Sequence, residues 1–382
     1  MAHSRSREIL QTLRKRLEFF PIIALQGARQ TGKSFLAERL LTPFYDQSRF
    51  VTFDDEGLQH QAKESAKTFL TENDKFKPLI IDEAQKVPSL FDALKLRVDR
   101  KRIPGKYVLL GSTEFSREAM IRESLTGRMG KIRIFPLNLK ETLGLKSKSL
   151  PTQADLLKYL THGGLPGICF SREEANRNAL FQDWIDLTCY RDLQQFKKLK
   201  LDGELAYQIL RQAATLSEPT QANIAKILKT NSRRIATHLE ALSQLFVLTP
   251  LRPHPSGTGK TFFIPFDCGV AHFLGASRER LLQIGILNER LVYDSCFNSK
   301  RSTFYYYRST GKKIIHLIEE KANQDLTAYQ VVTHEAIKKP DSELMIAFLK
   351  KNPDAEGCIL APVSEKIKLN KIIYFPWEKA FE

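Results

Sequence analysis

Residues 27–34 read Gly-Ala-Arg-Gln-Thr-Gly-Lys-Ser, a run that fits the template GxxxxGK[ST] at every position. It is preceded by Pro21-Ile22-Ile23-Ala24-Leu25, an apolar stretch of strand length. Phe35, Leu36, Leu40 and Leu41 follow it at helical spacing. Strand, glycine loop and helix in that order form a βα unit. The N-terminal part is therefore expected to fold as an α/β P-loop parallel sheet with helices on both faces.

Gly27 and Gly32 let the backbone curl so that successive N–H groups and the positive helix end converge on one point, where an anion is stabilised. Gly27, Ala28, Arg29, Gln30, Thr31, Gly32, Lys33 and Ser34 thus form a candidate nucleotide-binding loop. Lys33 is placed to reach the β- and γ-phosphates of a nucleoside triphosphate, and Ser34 to hold Mg2+. The competing reading is a glycine turn that binds nothing.

Lys77-Pro78-Leu79-Ile80-Ile81-Asp82-Glu83 reads as a central parallel strand with two acids at its C-terminal edge, where open α/β sheets bind ligands. Asp82 is the candidate metal ligand. Glu83 is the candidate for orienting or deprotonating an attacking water. Capping of the helix after Pro88 is the alternative. Strands are also expected at Arg49–Phe53, Lys106–Gly111 and Lys131–Phe135, and an amphipathic helix at Ser89–Arg102 carrying Leu90, Phe91, Leu94, Leu96 and Val98. Ser112 and Thr113 end the strand beside Asp82, so a hydroxyl there can touch the γ-phosphate or the water, or cap a helix starting near Glu114. Arg128, and after it Arg117 or Arg122, is the candidate cation for the transferring phosphoryl group; a solvated arginine is the alternative.

The order GARQTGKS, IIDEAQKVPSLFDALK, VLLGSTEFS and ESLTGRMGKIRIFPLNLKE is similar to that of bacterial and archaeal AAA+ ATPases whose C-terminal half is a DUF4143 domain. The similarity continues through Tyr190-Arg191-Asp192. It implies an AAA+ core with Walker A, Walker B and sensor elements, then a winged-helix region, then a module resembling a PD-(D/E)XK nuclease. Adenosine as the base is implied by the resemblance alone.

A chain of 382 residues is long for one core, and three regions are expected: an ATPase domain over 1–150, a helical and winged-helix region over 151–283, and an α/β nuclease-like module over 284–382. Five scattered cysteines without a CxxC fit a reducing cytoplasm. No apolar run reaches transmembrane length. The N-terminal residues read as a basic amphipathic helix, with Ile9, Leu10, Leu13 and Leu17 on one face, laid on the core rather than as a signal peptide or membrane anchor. The net charge of +16 suggests a polyanionic partner, but residues 1–150 hold 28 Lys and Arg against 18 Asp and Glu, and some of those cations face triphosphate.

Glu204–Leu216, a helix from Pro219-Thr220, and Ser232–Leu242 read as helix, turn and helix. Phe246-Val247-Leu248 and Thr261–Ile264 follow as paired wing strands. Lys229, Arg233 and Arg234 are the candidate DNA contacts, with Arg233, Arg234, Thr237 and His238 on faces away from the core; a structural or protein-docking lid is the alternative. In the last region the family resembled usually carries acids on two successive strands. This chain has Ile315 or His316 at the first position and Gln330-Val331-Val332 at the second, with Glu289 retained. One carboxylate does not hold a catalytic metal, so nuclease chemistry is not expected; Glu319 and Glu320 read as solvated hairpin charges. The expected function is Mg-dependent ATP hydrolysis, working with nucleic acid as a homo-oligomer. The alternative is a nucleotide-regulated assembly or signalling switch without DNA.

Overall fold

The computed structural model describes residues 5–113, 125–144, 151–196, 199–298, 300–309, 311, 313–333 and 339–381. The chain divides into two compact units, one holding residues 4–135 with 244–246 and the other 136–243 with 247–382.

In the first unit, strands β1 (Ile22–Gln26), β2 (Arg49–Thr52), β3 (Leu79–Asp82), β4 (Tyr107–Gly111) and β5 (Met129–Arg133) form one sheet in the order β2-β3-β4-β1-β5. Every pairing is parallel. β1, β3 and β4 are buried along their whole length, as continuous apolar strands covered on both faces must be. Ile22, Ala24, Leu79, Ile81 and Leu109 join Phe53, Phe69, Leu90, Phe91 and Leu94 in one core. Leu90, Phe91, Leu94 and Val98 come from helix Ser89–Arg100, whose Leu96, expected on the same face, is exposed. The last strand ends at Arg133, two residues before its expected limit. Because all five strands point the same way, the chain leaves β1, β3 and β4 along one edge. Residues 27–34, Asp82-Glu83 and Ser112-Thr113 meet there.

β5 is an edge strand, and helix α1 (Ile9–Leu17) protects it. Ile9, Leu13 and Leu17 are buried, and Arg16 Nη1 donates to the Lys131 carbonyl at 2.8 Å.

In the second unit, a helix at Gly203–Thr215, another at Gln221–Ile227 and a third starting at Ser232 precede the antiparallel pair β6 (Leu248–Pro253) and β7 (Phe262–Pro265). Helices and strands follow in the expected order, but β6 begins at Leu248, where the first expected wing strand (246–248) ends. β6 also pairs in parallel with β8 (Thr303–Arg308). That pairing joins it to β9 (Ile314–Glu320), β10 (Leu326–Val331), β11 (Glu356–Ala361), β12 (Ile367–Leu369) and β13 (Ile372–Pro376) in one eight-stranded sheet, order β12-β13-β11-β10-β9-β8-β6-β7. Residues 151–283 and 284–382 therefore share a sheet. A long helix, Arg278–Phe297, buries residues along most of its length.

Two sequence expectations are corrected here. β9 carries Glu319 inside. That residue is fully buried, with Arg290 Nε and Nη2 donating to its carboxylate at 2.8 and 3.2 Å, so it is not a hairpin charge. His238 is likewise fully buried. Its Nε2 accepts the Asp202 N–H at 2.9 Å, which leaves Nδ1–H for the Arg234 carbonyl at 2.8 Å.

Candidate nucleotide site

The loop begins where β1 ends. Ile134 N–H donates to the Gln26 carbonyl at 2.6 Å, and a Cβ on Gly27 would lie 2.1 Å from the Ile134 carbonyl oxygen, so only glycine fits there. Gln30 and Gly32 both have positive φ, 59° and 85°, the left-handed turns that reverse the chain into the helix starting at Lys33. Lys33 is buried, and its Nζ donates to the Gly27 and Ala28 carbonyls at 2.9 and 2.8 Å. Its ammonium thus lies inside the curl of the loop, where phosphate oxygens would replace those carbonyls as partners.

Ser34 Oγ donates to Asp82 Oδ2 at 2.5 Å. A hydroxyl and a carboxylate in contact, 48 residues apart in sequence, form an all-oxygen pair of the kind that suits Mg2+. The donor set fits the ion expected at this position. Asp82 Oδ1 accepts the Glu83 N–H at 2.9 Å, which fixes the carboxylate.

Glu83 has φ 53° and ψ 39°, a left-handed conformation costly for a residue with a side chain. That turn is what separates its carboxylate from the direction taken by Asp82. Burial, then the charge of Asp82, pushes the Glu83 pKa above the usual carboxylate range; Lys33 and a hydrogen bond from Gln85 oppose the shift. Asp54 also raises it, although this carboxylate is itself paired with Lys86 at 2.5 Å. A carboxyl with raised basicity next to a candidate metal ligand has the properties of a general base.

Ser112 and Thr113 are buried one and two residues past Gly111, which pairs with Gln26. Gln26 Nε2 donates to the Thr113 carbonyl at 2.9 Å, so this strand tip is tied to the residue before the loop. The helix expected from Glu114, which these hydroxyls would cap, lies with Arg117 and Arg122 outside the described residues.

Arg128 is not brought to the loop. It precedes Met129, the partner of Ile22 at the start of β1, whereas the loop follows the other end of that strand. Its guanidinium forks onto Asp99, Nε to Oδ1 at 2.5 Å and Nη2 to Oδ2 at 2.9 Å.

Among the nucleic-acid candidates, Lys229 stands in the turn between two helices with φ 48°, and Lys229 and Arg233 are exposed. Arg234 is exposed but paired with Asp202 at 2.7 Å. Glu289 is buried, its Oε1 accepting the Leu139 N–H at 2.8 Å. His316 Nδ1 accepts the Val331 N–H at 3.0 Å, and burial, aided by Arg280, pulls its pKa down to about 4. The ring is neutral at physiological pH.

Sequence reasoning missed Arg7. This buried arginine donates to the Thr31 carbonyl at 2.9 Å and the Phe135 carbonyl at 2.8 Å. Arg7 lay in a segment read only for its helix periodicity, and no local pattern marks a contact made 24 and 128 residues away.

Residues 19–143 match the AAA domain family, and residues 153–263 match a domain of unknown function, DUF8612, a different family from the DUF4143 domain resembled by the motifs. The chain is 29% identical over 263 residues to an uncharacterized protein of Mycobacterium tuberculosis, covering 66% of this chain and 55% of that protein. It is 26% identical over 249 residues to an uncharacterized protein of Methanocaldococcus jannaschii, covering 59% and 55%. The chain thus spans about half the length of the curated relatives it matches. Among solved structures it is similar to a Walker-type ATPase of Pyrococcus abyssi, at 16% identity over 72% of this chain and 99% of that one with a TM-score of 0.43. It is also similar to a signal transduction ATPase with a tetratricopeptide repeat sensor from Pyrococcus horikoshii, at 16% identity over 76% and 48% with a TM-score of 0.30. No helix among the described residues is long and apolar enough to cross a membrane.

Proposed function

We propose, from the match of residues 19–143 to the AAA domain family, that this chain binds ATP with Mg2+ on residues 27–34 and hydrolyses it. The observation that carries the reading is the contact of Ser34 with Asp82 at 2.5 Å beside an ammonium held inside the loop. A Mg2+ held by Ser34 and Asp82 would neutralise charge on the β- and γ-phosphates. Lys33 would exchange its carbonyl partners for phosphate oxygens. Glu83 would take a proton from water, and the hydroxyl of Ser112 would orient the water or the γ-phosphate. ATP turnover in the wild type, lost in Lys33→Ala, tests the assignment; turnover that survives this substitution sinks it.

The same reading extends to nucleic acid, bound through Lys229, Arg233 and Arg234 on the helix-turn-helix and its two strands. It also extends to a homo-oligomer in which Arg128 completes a neighbour's site. The pairing of Arg128 with Asp99, at the strand edge away from its own loop, is what favours an action in trans. Turnover per chain then rises with protein concentration, and an Arg128→Ala chain mixed with a Lys33→Ala chain regains activity. A nucleotide-regulated switch without DNA is the second reading. It is supported by the same arginine, which Asp99 holds at the end of the sheet away from its own loop. ATP turnover unaffected by DNA, with assembly that depends on ATP, would favour it.

A further inference from the structure

A phosphate loop turns its N–H groups toward the anion, so each of its carbonyls needs a donor other than those N–H groups. Three of those carbonyls are met from within: Gly27 and Ala28 by Lys33 Nζ, Ala28 also by Thr31 Oγ1 at 2.9 Å, and Gly32 by the Leu36 N–H at 2.9 Å. The Thr31 carbonyl is met from outside, by Arg7 Nη1 at 2.9 Å. The Thr31 carbonyl and the Gly32 N–H belong to one planar trans peptide, and in such a plane the two groups point in opposite directions. Fixing the oxygen on Arg7 therefore fixes the Gly32 N–H on the opposite side.

The second half of the fork reaches the Phe135 carbonyl at 2.8 Å, next to the Ile134 backbone against which Gly27 closes. Arg16, nine residues on, holds the same edge of the sheet through the Lys131 carbonyl. Residues 5–17 are thus a strap bolted at Lys131 within β5 and at Phe135 two residues past its end, with Arg7 at the end nearer the loop.

We infer that Arg7 is a positioning residue for the nucleotide: it sets the Thr31–Gly32 peptide so that the Gly32 N–H faces the phosphates. The assignment rests on ATP binding at residues 27–34. Arg7 acts on the loop through the Thr31 carbonyl, so its loss should weaken binding rather than slow chemistry. Charge-assisted hydrogen bonds of this kind correspond to roughly tenfold to hundredfold in affinity.

The experiment measures affinity for a fluorescent ATP analogue, KM and kcat for ATP, and Tm for the full chain carrying Arg7→Ala, Arg7→Gln or Arg7→Lys. Arg7→Ala is expected to raise Kd and KM by about tenfold to hundredfold with kcat changed less than about threefold. Arg7→Lys, whose single ammonium serves one carbonyl well, recovers part of the affinity. If Arg7→Ala does not fold, Arg7→Gln and Arg7→Lys carry the test. Variants that melt earlier but bind as wild type, or that lose kcat with KM unchanged, overturn the role of Arg7 alone. A wild-type chain that binds no nucleotide overturns the nucleotide reading itself, and this assignment with it.

Discussion

Both units place carboxylates on or beside sheet strands, yet only one leaves them available for chemistry. In the second unit, Glu319 is held by the Arg290 fork and Glu289 by the Leu139 N–H. In the first unit, Asp82 faces a serine hydroxyl, and Glu83 stands in a left-handed turn with raised basicity. The difference teaches that residue type alone does not make a site. What matters is whether a buried charge is already matched by a fixed partner, because a matched charge stabilises a fold while an incompletely matched one stays reactive.

The largest expected effect is that of Lys33→Ala. The triphosphate loses its closest cation, and affinity for ATP should fall at least about a hundredfold in a nucleotide titration, consistent with the strength of charged contacts in a buried site. If the acids of the second unit are structural, Glu319→Ala should leave the Arg290 guanidinium buried and unpaired, at a cost of about 3 kcal/mol or more. Chemical denaturation reads this directly. An unchanged midpoint would mean that the ion pair is dispensable, and the contrast between the units would fail.

Smaller effects refine the same contrast. If the helix-turn-helix binds DNA, Lys229→Ala and Arg233→Ala should each weaken binding across all sequences and lower the salt slope by about one. Arg234→Ala should do less, because Asp202 already pairs with it. Fluorescence anisotropy at several salt concentrations separates these outcomes. Smallest is a stability effect at Glu83. Its pKa is raised in the folded protein, so its ionised form opposes folding once pH exceeds that folded value. Below the unfolded pKa of about 4.3 it is protonated in both states and costs nothing. Glu83→Gln should therefore raise Tm at neutral pH by a few degrees at most, and the gain should vanish as pH falls through the folded pKa toward that lower limit.

The loop, the acids at the end of β3 and the neighbouring strand tip were legible because each is local: a glycine template, an apolar run, two adjacent carboxylates. Glu319 was misread because it was assigned to a solvated hairpin, whereas β9 carries it into the core, where Arg290 from a helix 29 residues upstream meets it. His238 was misread because a helix position was assigned to a face by spacing alone. The partner that buries it, the Asp202 N–H, comes from 36 residues upstream. The pairing of β6 with β8 and the reach of Arg7 to the loop are likewise non-local, set by side chains and strands that meet only once the chain has folded.

The account stands most directly on the division of labour between Asp82 and Glu83. Equilibrium binding of ATP and steady-state turnover measured together on Glu83→Gln test it. Affinity should stay within a few-fold of wild type while turnover falls by about 10²- to 10⁴-fold, the range expected for loss of a general base. Weakened affinity with turnover intact would contradict it.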